Sequence, residues 1–121
     1  MINAIPRQKV FLSKEEFSTI YEIIKSGQIL DGPHIHQFEQ RFAEYIGTKY
    51  AIGVNTGFSA LEICLRGIDV KNASVIVPTN TSMATPNSVL HAGGKVIFAD
   101  VLKEDLGMDP DDLRRKIRKD T

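Results

Sequence analysis

The stretch Tyr50-Ala51-Ile52-Gly53-Val54-Asn55-Thr56-Gly57-Phe58-Ser59-Ala60-Leu61 decides the fold class. Tyr50 to Val54 is an apolar run of strand length, and Asn55-Thr56-Gly57 is turn chemistry. Leu61, Cys64, Leu65 and Ile68 then share one face of a helix. A strand followed directly by a helix repeats downstream. Ser74 to Val77 is a β-branched run closed by Pro78, and Val96 to Ala99 is another, closed by Asp100. Between them Ser82 to Ala92 reads as a helix ended by Gly93-Gly94. Pro86 is tolerated only in a first turn, which puts the helix start near Thr85. The last element, Pro110 to Lys119, has Asp109 as its N-cap and Leu113 and Ile117 as apolar contacts.

Upstream, two amphipathic helices precede any strand. Ser13 and Glu16 have the spacing of a capping box, and Phe17, Ile20, Tyr21 and Ile24 follow on one face until Ser26-Gly27. Asp31-Gly32-Pro33 opens a second helix, with Ile35, Phe38, Phe42, Tyr45 and Ile46 expected on its buried side and Gly47 at its end. After these helices the order is β-α-β-α-β and a final helix. That order predicts an α/β fold, a largely parallel sheet with helices on both faces. Three strands are few for such a sheet, so the domain is expected to continue beyond Thr121, and no linker marks a boundary within 1–121.

Composition narrows the function classes. The 121 residues suffice for one domain, with 42% hydrophobic and 25% charged residues, as in soluble globular proteins. Fifteen basic residues balance fifteen acidic ones, so no net positive field holds nucleic acid or an anionic membrane. Residues 1–10 carry no signal-peptide pattern, and no apolar run approaches the roughly 18 residues of a membrane span. The single cysteine, Cys64, excludes an internal disulfide and is expected in the core; a cytoplasmic location is the expectation.

Two turns can bind a ligand. Asn55-Thr56-Gly57-Phe58-Ser59 opens a helix, where free amides and the helix dipole suit a phosphate; equally, it is a tight βα turn with an N-cap. It is neither a P-loop nor a G-x-G-x-x-G turn. Pro78-Thr79-Asn80-Thr81-Ser82 follows the next strand and is expected at the same carboxyl edge of the sheet. No metal site is expected. His34 and His36 diverge on a helix and read as solvated, His91 suits a helix C-terminus, and Asp109, Asp111 and Asp112 suit a helix start.

Longer blocks carry a resemblance. Phe38-Glu39-Gln40-Arg41-Phe42-Ala43-Glu44-Tyr45-Ile46-Gly47, Ala51 to Leu61, Val75-Ile76-Val77-Pro78-Thr79-Asn80-Thr81 with Ala84-Thr85, His91-Ala92-Gly93-Gly94-Lys95 with Phe98-Ala99-Asp100, and Leu106 to Leu113 occur in one order. Together they resemble the DegT/DnrJ/EryC1/StrS sugar aminotransferases, from about Phe11 onward. The resemblance implies the N-terminal part of the large domain of type I pyridoxal-phosphate enzymes. The family turn usually reads Ser-Gly-Thr and binds the cofactor phosphate, which maps onto Thr56, Gly57 and Phe58; a Thr hydroxyl is lost at Phe58. Ser82 stands where the family commonly stacks an aromatic residue on the pyridine ring, and the Gln28 to Pro33 turn resembles a segment near the substrate.

The family's Schiff-base lysine and the acidic partner of the pyridine nitrogen fall later than Thr121, so no catalytic residue is assigned here. The implied activity is amino transfer, with glutamate as donor, to a keto group of a nucleotide-linked sugar by a homodimer. This chain alone is expected to be inactive and to expose apolar surface. The alternatives are a sugar dehydratase of the same family, in which a histidine replaces the lysine, and a non-catalytic truncated or regulatory module. Incubation of the 121-residue chain with pyridoxal phosphate and borohydride should add no specific pyridoxyl group by intact mass. One stoichiometric adduct at a single lysine would refute that expectation.

Overall fold

A computed structural model describes residues 8–121. Residues 1–7, part of the stretch without a signal-peptide pattern, lie outside the described residues. The chain divides into two compact units, one up to Gly53 and one from Val54 to Thr121. The contacts of each unit fall mainly within it.

The first unit holds α1 (Lys14–Ser26) and α2 (Pro33–Ile46). Ser13 caps α1 as expected, its hydroxyl accepting from the Glu16 amide while the Glu16 carboxylate accepts from the Ser13 amide. Gly27 and Gly47 end the two helices at φ 73° and 79°, left-handed positions that glycine reaches without a Cβ clash. The expected buried sides are not buried. Phe17, Tyr21, Ile24, Phe38 and Tyr45 are exposed, and Ala43 is the one buried residue of α2. Nothing among the described residues covers the apolar faces of these two helices.

The second unit holds α3 (Gly57–Gly67), β1 (Ser74–Pro78), α4 (Ala84–His91), β2 (Lys95–Ala99) and α5 (Pro110–Lys116). β1 and β2 pair in parallel, in register from Ser74 with Lys95 to Pro78 with Ala99. Helix α4 connects them, packing on both strands and against α3, while α5 packs on β2. Val77, Val89, Ala92 and Ala99 form the core, with Ser88 fully buried among them through its hydrogen bond to the Thr85 carbonyl. Full burial of a valine contributes about 1.5–3 kcal/mol, so Val77 and Val89 anchor this small sheet.

Three expectations need correction. The run 50–54 is not a strand, because a strand requires a hydrogen-bonded neighbour and no described residue supplies one. The sheet therefore has two strands among the described residues. Helix α5 stops at Lys116 instead of Lys119, since Ile117 turns to extended geometry (φ −63°, ψ 132°). The residues after it fold back, and Asp120 accepts from both the amide and the hydroxyl of buried Ser74, at 2.6 and 2.8 Å.

The acidic helix start has a structural task. Asp109 caps α5 by accepting from the Asp111 amide at 2.8 Å. Asp112 is buried and accepts from Lys116 Nζ and the Asp100 amide, both at 2.7 Å, and from Arg115 at 3.0 Å. These bonds, Lys116 first, lower its carboxyl to about 2, below the ordinary range near 4. A carboxylate whose folded pKa is depressed stabilises the fold above its unfolded pKa and loses that effect as pH falls. Stability should therefore drop between pH 4 and 2 more steeply in the native chain than in Asp112→Asn, which should be less stable at pH 7. Equal acid slopes in urea titrations would contradict this role.

Candidate functional site

The first turn of α3 is built by three side chains. Thr56 is the N-cap, with extended backbone (φ −151°, ψ 156°), and its Oγ1 accepts from the Ser59 amide at 3.2 Å. Ser59 Oγ donates to Asn55 Oδ1 at 2.8 Å and lies 3.1 Å from Thr56 Oγ1. The Ala60 amide donates to the Thr56 carbonyl. That leaves the amides of Gly57 and Phe58 without an acceptor among the described residues, the expected state of the first donors of a helix. Asn55, Thr56 and Gly57 are exposed, and a Cβ placed on Gly57 would meet nothing within 4 Å. Two unpaired N–H groups at the positive end of an 11-residue helix, with open space above them, suit an anion such as a phosphate monoester.

Phe58 plays two parts. Its amide belongs to this turn, while its half-buried ring meets the imidazole of His91 edge to face, with centroids 5.2 Å apart and planes at 89°. His91, the last residue of α4, also lies 3.9 Å from Glu62 Oε2 through Nδ1, and its carbonyl accepts from Arg66 Nη2 at 2.6 Å. The helix-terminal histidine thus joins α4 to α3, a contact that its place in the sequence did not reveal.

Ser82 lies elsewhere in this unit, in the turn before α4. Its Oγ accepts from the Ala84 amide at 3.3 Å and its carbonyl from the Thr85 amide at 3.0 Å, while Thr81 and Thr85 hydroxyls meet at 3.0 Å. The side chain is exposed, and no hydrogen bond joins it to the Asn55–Ser59 turn among the described residues. A hydroxymethyl group offers no ring face for stacking. The two polar turns do not flank one sheet edge through paired strands, because 50–54 is outside the sheet.

The remaining candidates resolve simply. Cys64 is exposed, not in the core, although it lies on the expected apolar face of α3. That face, with Leu61, Leu65, Val75 and Val77, lines an open apolar hollow of about 250 Å³ that no described residue fills. His36 is 70% exposed on its side chain, 3.5 Å from Glu39 and 3.8 Å from Asp31. No cluster of three metal-ligating side chains occurs among the described residues, and no helix there is long and apolar enough to cross a membrane. Sequence reasoning missed Glu39, whose carboxylate accepts from the Gly53 amide at 2.7 Å and ties the segment after α2 back to that helix.

Replacing Thr56 with Ala removes the cap of α3, at a cost of about 0.5–2 kcal/mol of stability. Chemical denaturation of this variant should show that loss, and Thr56→Ser should largely restore it.

Comparison with known proteins places this geometry in context. The sequence profile of the DegT/DnrJ/EryC1/StrS aminotransferase family matches residues 11–121. The chain is 32% identical over 101 residues to 3-oxo-glucose-6-phosphate:glutamate aminotransferase of Bacillus subtilis, covering 83% of this chain and 23% of that protein. It is 33% identical over 119 residues to GDP-perosamine synthase of Vibrio cholerae, covering 97% of this chain and 32% of the relative. The structure superposes on Spr1654 of Streptococcus pneumoniae, named as a sugar aminotransferase and solved in its PLP form, with a TM-score of 0.87 and 29% identity over 97% of this chain and 30% of that one. The chain therefore spans less than a third of the length of these relatives. It has the α/β fold of these enzymes, and it belongs to the DegT/DnrJ/EryC1/StrS aminotransferase family.

Proposed function

We propose that residues 1–121 are the N-terminal, phosphate-holding portion of the large domain of a pyridoxal-phosphate-dependent sugar aminotransferase. The observation that carries this reading is the pair of unpaired amides, Gly57 and Phe58, at the open N-terminus of α3. Pyridoxal phosphate, when bound, supplies the electron sink through which an amino group and a proton pass between donor and acceptor carbons. This chain's own part is to bind and orient. The Gly57 and Phe58 N–H groups donate to the phosphate, the helix dipole favours its charge, and Thr56 keeps the turn open by capping Ser59 instead of closing over the two amides.

The donor in this reading is glutamate, in keeping with the name of the B. subtilis relative. The acceptor is a keto sugar, carried on a nucleotide as the V. cholerae relative's GDP-linked name suggests; the B. subtilis name instead specifies a sugar phosphate. In this reading the lysine that would exchange protons and the acidic partner of the pyridine nitrogen fall later than Thr121, so the segment alone is inactive. Dehydratases of the same fold superpose at 23% identity with a TM-score of 0.86, a likeness of fold. A lysine or a histidine at the Schiff-base position separates the two activities.

Gly57→Pro tests the phosphate contact. Proline fits a first helical position and removes one N–H, and the extended Thr56 before it already has the backbone that proline requires. The helix should persist, and affinity for pyridoxal phosphate should fall about tenfold or more, as for a hydrogen bond to a charged group. Pyridoxal, which lacks the phosphate, should bind as before. Unchanged binding of pyridoxal phosphate would remove the turn from the site.

A further inference from the structure

We infer that His91 is a positioning residue for the phosphate turn, fixing the Phe58 amide by holding the Phe58 ring; this rests on the phosphate reading of that turn. The first turn of a helix lacks intrahelical acceptors for its amides and frays unless side chains secure it. Here Thr56 and Asn55 bond only within the turn, through Ser59, and Gly57 has no side chain. Phe58 alone of these residues makes a side-chain contact with another element that the structure identifies, and that contact is the edge-to-face packing on His91.

His91 is itself held. Glu62 Oε1 accepts from Arg66 Nε at 3.0 Å and Nη2 at 2.8 Å, and the same Nη2 donates to the His91 carbonyl at 2.6 Å. Glu62 Oε2 faces the imidazole at 3.9 Å. Phe58, Glu62 and Arg66 are spaced by four, so one residue at the end of α4 grips three successive turns of α3, and the ring contact is the grip nearest the phosphate. The Phe58 ring cannot donate to a phosphate, and its packing on His91 keeps that residue's amide in place.

The test uses the full gene product and two probes, pyridoxal phosphate and pyridoxal, whose affinity ratio reports the phosphate contact alone. His91→Ala should lower that ratio roughly two- to tenfold, the range of an aromatic pair. His91→Phe, which keeps a ring but no charge or hydrogen-bonding nitrogen, should restore it. In a Phe58→Thr background His91→Ala should leave the ratio unchanged. A merely structural histidine would shift thermal melting and both affinities together without changing the ratio. The inference is overturned if His91→Ala leaves the ratio intact, if His91→Phe lowers it as much, or if the Phe58→Thr background responds like the native one. Should His91→Ala not fold, His91→Phe and Phe58→Thr, alone and combined, decide by the same ratio. A native ratio near one would defeat the phosphate reading itself, and the positioning role with it.

Discussion

Parallel strands cannot be joined by a tight turn, because the chain leaves one strand at the opposite end from where the next begins. The in-register pairing of β1 and β2 therefore requires α4 to run back across the sheet, and α4 in turn supplies the surface on which α3 packs. Val77, Val89 and Ala99 are buried where these elements meet. The turn that holds two free amides thus stands on a helix placed by a crossover, and the crossover follows from strand direction. Asp112 secures the other end of β2, drawing the Asp100 amide, Lys116 and Arg115 onto one carboxylate.

Features specified by residues close in sequence were legible. The Ser13–Glu16 capping box, the Thr56 and Asp109 caps, the placement of Pro86 in the first turn of α4 and the runs that became β1 and β2 all rest on a few neighbouring residues. Features that depend on distant partners were not. Residues 50–54 have strand composition, yet a strand is a relation between two segments, and no described neighbour completes it. The same reasoning explains the open faces of α1 and α2. Periodicity identifies which side of a helix is apolar but does not supply the surface that covers it.

The candidate site divides in the same way. Thr56, Gly57 and Phe58 could be read as a unit because a helix start has fixed backbone chemistry, and the structure leaves two of their amides unpaired. Ser82 was read from the residues as part of the second polar turn, its place beside the cofactor ring came from the resemblance, and its hydroxyl serves the start of α4. His91 was visible only as a residue suited to a helix end. The four-residue spacing of Phe58, Glu62 and Arg66 marked one face of α3, but nothing local revealed that a single imidazole from α4 would meet that face. Cys64 shows the opposite error, where an apolar helix face was equated with a buried one.

The bond between Ser74 and Asp120 spans 46 residues. Ser74 opens β1 and is buried, so Asp120 supplies the partners without which its hydroxyl and amide would be desolvated and unpaired. The Ser74–Asp120 pair thus ties the opening of the first paired strand to the residues that follow α5, so the second unit is closed on itself by a contact between positions far apart in the chain.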